Sequence, residues 1–278
     1  MSGAPSYKKL KIRGGEITLN IEFYEHPHPQ TTIIFLPGTG CSASFYHPFL
    51  QALSWKGYTV VGLDPRGHGL SAGERGDWSV EEILEDIKAV KEVLPKEIPV
   101  GIMGSSQGGF LALYATHEID GLSFGICHNG GYLSELFFTK TLLFKAFKKF
   151  ARRFPYIKIP HLHVNWRFVF KERKKLKWLF KNPLFVSRYS LRALHSLFTY
   201  SPNNPPKCPV LLITGEREYV VPNFILKRVK KKWKKFVTYQ EIKGAGHMLP
   251  LEHIEDTIMV IDEWIRCEIL KRGFTFSN

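Results

Sequence analysis

The chain has 278 residues, 44% of them hydrophobic, and a formal net charge of +14 at pH 7. That length suits one α/β domain with an insertion, and the apolar share suits a globule with a large core rather than a disordered or fibrous chain. No apolar run nears the roughly 20 residues that span a bilayer. Residues 1–9 lack the apolar stretch of a secretory signal, and four scattered cysteines (Cys41, Cys127, Cys208 and Cys267) suit a reducing cytoplasm.

In chain order, residues 8–12 and 17–23, joined by Arg13-Gly14-Gly15-Glu16, read as an opening hairpin. Residues 31–36 and 59–63 are strand-like runs, the first followed by Pro37-Gly38-Thr39-Gly40 and the second by Asp64-Pro65-Arg66-Gly67-His68-Gly69-Leu70-Ser71. Ser79-Val80-Glu81-Glu82 is a capping box, in which serine and glutamate side chains satisfy each other's backbone N–H, and it opens a helix through about Leu94. Residues 100–103 are a buried strand and Phe110-Leu111-Ala112-Leu113-Tyr114-Ala115 a helix packed on the sheet. Strands follow at 122–127, 210–214 and 236–242, and a last helix bearing Trp264 starts near Leu251. Alternating strands and helices predict an α/β fold, with a mostly parallel sheet covered on both faces.

Gly104-Ser105-Ser106-Gln107-Gly108 is a G-x-S-x-G pattern between a strand and a helix. On so sharp a turn the serine hydroxyl is pushed out at the sheet's edge, the backbone is strained, and the glycines remove side chains that would collide. The next amide, Gln107 N–H, points from the helix N-terminus at whatever the serine attacks. Ser105 as nucleophile would put Met103 and Gln107 where the glycines must be, so Ser106 is expected. A serine needs a base and an orienting acid to be reactive at neutral pH. The strand at 210–214 runs into Gly215-Glu216-Arg217-Glu218, and the strand at 236–242 is soon followed by Gly244-Ala245-Gly246-His247. An acid after one strand and a histidine after the next converge where Ser106 sits, at the sheet edge where open parallel sheets bind ligands.

The order serine, acid, histidine resembles the α/β-hydrolase family. Leu36-Pro37-Gly38-Thr39-Gly40 resembles that family's first oxyanion loop, which implies Thr39 N–H as the partner of Gln107 N–H. Asp64 to Ser71 resembles the turn that braces this loop, implying structural duties for Asp64, with local partners beside Pro65 and Arg66, and for His68. Gly69-Leu70-Ser71-Ala72-Gly73-Glu74-Arg75 is similar to a stretch of monoacylglycerol lipases and lysophospholipases. The family's Gly-x-x-acid-x-x-x-Pro spacing lands on Glu218, with Glu216 as the alternative. Two departures stand out: Pro37-Gly38 replaces the family's usual His-Gly, and the acid is glutamate rather than aspartate. The likeness covers nearly all of the chain outside residues 132–202. It implies an α/β-hydrolase core (1–131 and 203–278) with an inserted helical cap (132–202).

Residues 132–202 hold 16 of the 39 Lys+Arg, 2 of the 25 Asp+Glu (Glu135 and Glu172) and 17 of the 38 aromatic residues. The segment therefore carries +14 and the remainder, with 23 of each sign, is neutral. Residues 142–150 and 174–181 read as amphipathic basic helices. Either this cap lines an acyl tunnel and meets an anionic lipid surface, or it is a structural cap kept soluble by its lysines. The basic run at 227–235 reads as the exposed face of a body helix; with no recognition fold beside it, nucleic acid is not an expected partner. His26, His28, His47, His128, His161, His163 and His195 fall in no metal-ligand spacing, a close pair such as His161-x-His163 being too little alone, so neither metal nor cofactor is expected.

The expected activity is serine-dependent hydrolysis of carboxylic esters with a medium or long acyl chain, of monoacylglycerol or lysophospholipid type, through an acyl-enzyme. The alternatives are an acyl-CoA or acyl-carrier thioesterase and, more remotely, a catalytically silent binding protein of the same fold. A proline-cleaving aminopeptidase is disfavoured because the cap has so few acids to grip an amine. Dehalogenases and epoxide hydrolases need an acid where Ser106 stands. The expected location is cytoplasmic, in peripheral contact with a membrane.

Overall fold

A computed structural model describes residues 4–162 and 164–270, so His163 lies outside the described residues. Eight strands form one sheet: β1 (Ser6–Gly14), β2 (Ile17–Glu25), β3 (Thr32–Leu36), β4 (Thr59–Asp64), β5 (Val100–Ser105), β6 (Phe124–His128), β9 (Val210–Gly215) and β10 (Val237–Ile242). Their spatial order is β1-β2-β4-β3-β5-β6-β9-β10, antiparallel where β2 meets β1 and β4 and parallel elsewhere.

Strands β3, β4, β5, β6 and β9 are buried at every residue, as a sheet covered on both faces requires. Alternate residues of β3 feed opposite cores. Ile34 and Leu36 pack with helices α2 (Val80–Glu92) and α3 (Gln107–Glu118), while Ile33 and Phe35 pack with α1 (His47–Trp55) and α9 (Ile254–Trp264). The capping box of α2 is formed by Ser79 and Glu82. The expected helix from Leu251 is instead broken. A short α8 (Leu249–Glu252), with Pro250 in its first turn, stops at His253, whose φ of −137° and ψ of 51° lie outside the helical region, and α9 begins beyond it.

After β3 the chain crosses to β4 on one side, and after β5 it crosses to β6 on the other. The loops after β3 and β5 therefore part and leave a crevice at the carboxyl ends of those strands, the position for a ligand in an open parallel sheet. Over that crevice, between β6 and β9, lie α4 (Leu142–Arg153), α5 (Arg173–Lys181), α6 (Leu191–Thr199) and a two-stranded ladder of β7 (Lys158–Pro160) and β8 (Arg188–Ser190). The α6 end is pinned to the body: Arg192 pairs with Asp77 and Glu82, and Val80 N–H donates to Ser196 Oγ. Helix α7 (Asn223–Lys232) carries the second basic run and pairs Lys227 with Glu241 at 3.6 Å.

Candidate active site

Ser106 stands between β5 and α3 with φ 55° and ψ −116°, a left-handed backbone that a serine holds only where its surroundings over-determine it. Its N–H donates to His128 O at 2.9 Å, and its carbonyl accepts from Gly109 N–H at 2.8 Å. A Cβ on Gly104 would lie 1.9 Å from Gly108 O, and one on Gly108 would lie 2.2 Å from Leu36 O, so the two glycines of the motif are steric necessities. Ser105 points away into the core, where its Oγ meets His128 Nδ1 at 2.9 Å.

Ser106 Oγ lies 3.1 Å from His247 Nε2, and His247 Nδ1 lies 2.7 Å from Glu218 Oε2. The structure thus brings Ser106, His247 and Glu218 together, all on loops at the carboxyl edge of the sheet. With Nδ1–H donated to the carboxylate, Nε2 is free to accept the serine proton. Burial alone would push the Glu218 carboxyl up, but the His247 ring and the Val221 and Val220 amides outweigh it and hold the group below its ordinary value. Glu216 is exposed and turned away, accepting from Gly244 N–H at 2.8 Å. Cys41, close to Ser106, is no rival nucleophile: burial pushes its thiol up to about 12.

Thr39 and Gln107 both border Ser106. The amides flanking Thr39 are already engaged, Gly38 N–H with the Tyr46 hydroxyl at 3.1 Å and Gly40 N–H with the Tyr189 hydroxyl at 2.8 Å. Among the described residues no acceptor meets Thr39 N–H or Gln107 N–H. A pair of such amides beside a serine hydroxyl can hold an oxyanion.

Tyr189 ties this loop to the Asp64–Ser71 turn. Its oxygen also accepts from Gln107 Nε2 at 3.1 Å, and its O–H donates to His68 Nε2 at 2.7 Å. His68 Nδ1–H then donates to Arg66 O at 3.0 Å; acceptance at Nε2 requires the neutral ring, and burial lowers its pKa to about 4. His68 therefore braces the loop. Asp64 is buried as well, with one partner from its own turn and two from elsewhere in the chain. It accepts from Ala43 N–H at 2.7 Å, Leu70 N–H at 2.9 Å and Asn20 Nδ2 at 2.9 Å, while Arg66 pairs with Asp86.

A cavity of about 730 Å³ opens from Ser106, Thr39 and Gln107 beneath the helices between β6 and β9, walled by side chains such as Phe110, Phe144, Leu194, Leu197 and Phe198. Among the described residues no charged side chain lines it. On the other side of Ser106 the cleft measures only about 20 Å³ and is closed by Phe45, Trp166 and Phe170. Among the described residues no group of three His, Cys, Asp or Glu is placed to hold a metal ion.

Two residues at this site carry no sequence signal of their own. Tyr189 comes from β8, and Asn129 follows β6 with φ 55°. Asn129 Nδ2 donates to Glu218 Oε2 at 2.6 Å.

A family model described as "Serine aminopeptidase, S33", of the Hydrolase_4 type, matches residues 27–254. Among solved structures, the monoacylglycerol lipase of Paleococcus ferrophilus is 22% identical, with 95% of this chain and 99% of that one covered at a TM-score of 0.76. A soluble variant of monoglyceride lipase from Saccharomyces cerevisiae, solved with a substrate analogue, is 16% identical, with 97% of each chain covered at 0.79. Both speak for the fold. The AB hydrolase superfamily protein YisY of Bacillus subtilis is 31% identical over 104 residues, 37% of this chain. The matches to curated relatives span 9% and 37% of those proteins' own lengths.

Proposed function

The chain belongs to the serine aminopeptidase S33 family of α/β hydrolases, and within it we propose a serine hydrolase that cleaves carboxylic esters with a medium or long acyl chain. The observation that carries this reading is the apolar cavity of about 730 Å³ ending on Ser106. An apolar cavity rewards burial of each methylene by about 0.8 kcal/mol, and this one has, among the described residues, no carboxylate to hold a peptide's amino terminus. Glu135 and Glu172, the two acids between residues 132 and 202, are absent from its wall.

In the proposed reaction His247, oriented by Glu218, takes the Ser106 proton as Oγ attacks the ester carbonyl. Thr39 N–H and Gln107 N–H hold the oxygen that becomes negative. Collapse of the tetrahedral intermediate breaks the C–O bond, and the proton on His247 Nε2 passes to the departing alkoxide. His247 then activates water to release the acid from Ser106. The apolar side of Ser106 takes the acyl chain, since the opposite cleft has room for little beyond a water molecule.

The exterior over the cavity supports a partner for this reaction, an anionic lipid surface. Leu143 and Leu162 border the cavity yet are each 81% exposed, Leu142 (81%) precedes Leu143, and Phe137 (82%) lies one residue before the lining residue Phe138. At 100° per residue the exposed half of α4 has an apolar flank (Leu142, Leu143, Ala146, Phe150), closed at its C-terminal end by Arg153, and a basic one (Lys145, Lys149, Arg152).

The test is a fluorophosphonate probe with Ser106→Ala beside it. The probe should label Ser106 alone, and the variant should keep its fold while losing about 10⁴-fold or more in turnover of p-nitrophenyl esters. Labelling at Ser105, or full activity without the Ser106 hydroxyl, overturns the reading.

A further inference from the structure

Glu218 is one methylene longer than an aspartate, so its carboxylate has an extra torsion to fix before it can orient a histidine. Oε1 is held by Val220 N–H and Val221 N–H, both from its own turn. Those bonds leave the carboxylate free to swing about Oε1. Oε2, the oxygen that meets His247, is held from across the sheet by Asn129.

Asn129 is fully buried and has its amide nitrogen at the centre of the site. Nδ2 lies 2.6 Å from Glu218 Oε2, 3.0 Å from His128 Nε2 and 3.1 Å from His247 Nδ1. His247 Nδ1 already gives its proton to Glu218, so that last contact brings two donors together and is no hydrogen bond. One amide proton goes to Glu218, and the other has His128 Nε2 at 3.0 Å and the His247 carbonyl at 3.3 Å as acceptors. His128, fully buried and with its pKa lowered to about 3 by burial, is neutral; it donates Nδ1–H to Ser105 Oγ and accepts at Nε2. Asn129 Oδ1 meets no partner among the described residues. Turning the amide over would set that oxygen against the carboxylate, so the orientation is fixed by charge.

We infer that Asn129 is a positioning residue for the acid: its amide, backed by His128 and Ser105, clamps Glu218 Oε2 in the line of His247 Nδ1–H. The left-handed backbone at Asn129 serves the same end, because it turns the side chain from β6 toward the β9 loop; asparagine is among the few residues that accept this conformation readily. The inference rests on the proposed reaction and adds to it a fourth side chain that touches neither substrate nor Ser106.

Its test reads turnover of p-nitrophenyl butyrate and the rate of fluorophosphonate labelling in four variants of the full chain. Glu218→Gln should lower both by about 10³–10⁴-fold, and Glu216→Gln should leave both unchanged. Asn129→Gly, which keeps the backbone allowed, should lower kcat about 10–100-fold with KM within twofold. The double variant Glu218→Gln, Asn129→Asp places a carboxylate within reach of His247 Nδ1 and should regain at least about tenfold over Glu218→Gln alone. A structural role for Asn129 would not produce that recovery. An unchanged kcat in Asn129→Gly overturns the inference, and so does a lowered kcat without recovery in the double variant. If Asn129→Gly fails to fold, the near-isosteric double variant decides alone. Full activity in Glu218→Gln would instead overturn the role of Glu218 in the proposed reaction itself.

Discussion

A single hydroxyl, that of Tyr189, joins three parts of the molecule that lie far apart in the chain. It accepts from Gly40 and Gln107 and donates to His68, so every lone pair and proton it has is used in a fully buried place. Tyr189→Phe should therefore cost about 1–3 kcal/mol of stability, because Gly40 N–H and His68 Nε2 lose their partner. It should also lower kcat, since Gly40 adjoins Thr39. Denaturant unfolding beside ester kinetics checks both; equal stability with full activity would refute the bracing role. Ser106 was legible in the sequence because it sits in a short motif in which a Cβ on Gly104 would strike Gly108 four residues on, and His247 because it follows the next strand after the acid in the expected order. Tyr189 and Asn129 were not. Gly40 and Tyr189 are 149 residues apart, and nothing in the local pattern of either announces the contact.

At the scale of elements, the cavity is a gap between helices, which makes its length a property of their facing side chains. Leu194, Leu197 and Phe198 of α6 share its wall with Phe144 and Phe147 of α4, and the two helices touch where Phe144 and Phe198 meet edge to face, 6.5 Å between ring centroids. With about 0.8 kcal/mol per buried methylene, kcat/KM should climb about fourfold for each CH₂ added to a p-nitrophenyl ester until the cavity is full. Leu197→Trp fills part of that space from a pinned helix. The climb should stop at shorter chains in this variant while the acetate ester is cleaved as before. An unchanged length profile would show that the acyl chain lies elsewhere. Periodicity made α4 and α5 readable, since both are amphipathic over two turns or more. The β7–β8 ladder escapes such a reading, because three residues a strand are too few for alternation to show. The helix bearing Trp264 is present but starts at Ile254 rather than near Leu251, because its apolar pattern runs through His253, where the backbone turns out of the helical region.

For the whole molecule, the decisive feature is where the charge lies. Residues 132–202 carry the entire formal +14 and also the exposed leucines at the mouth of the apolar cavity, so the molecule is polar in the electrical sense as well as the chemical one. No helix among the described residues is long and apolar enough to cross a membrane. Each basic side chain near an anionic leaflet contributes about 1 kcal/mol, within a screening length of about 8 Å at physiological ionic strength. Binding to vesicles should then require anionic lipid and fall steeply with added salt. Reversing Lys145, Lys149 and Arg152 to glutamate removes three such contributions and adds three repulsions. It should cut vesicle binding by well over about 100-fold and lower activity on lipid dispersions, yet spare a short soluble ester, because the reacting groups are held by the sheet and not by α4. Sedimentation with phosphatidylserine and with phosphatidylcholine vesicles, beside the two assays, separates the outcomes. A rise in KM for acyl-CoA in free solution, with no change on vesicles, would assign the charge to a phosphorylated thioester substrate. Indifference of both activities would leave the basic flank a solubilising surface and the cavity the sole determinant of substrate choice.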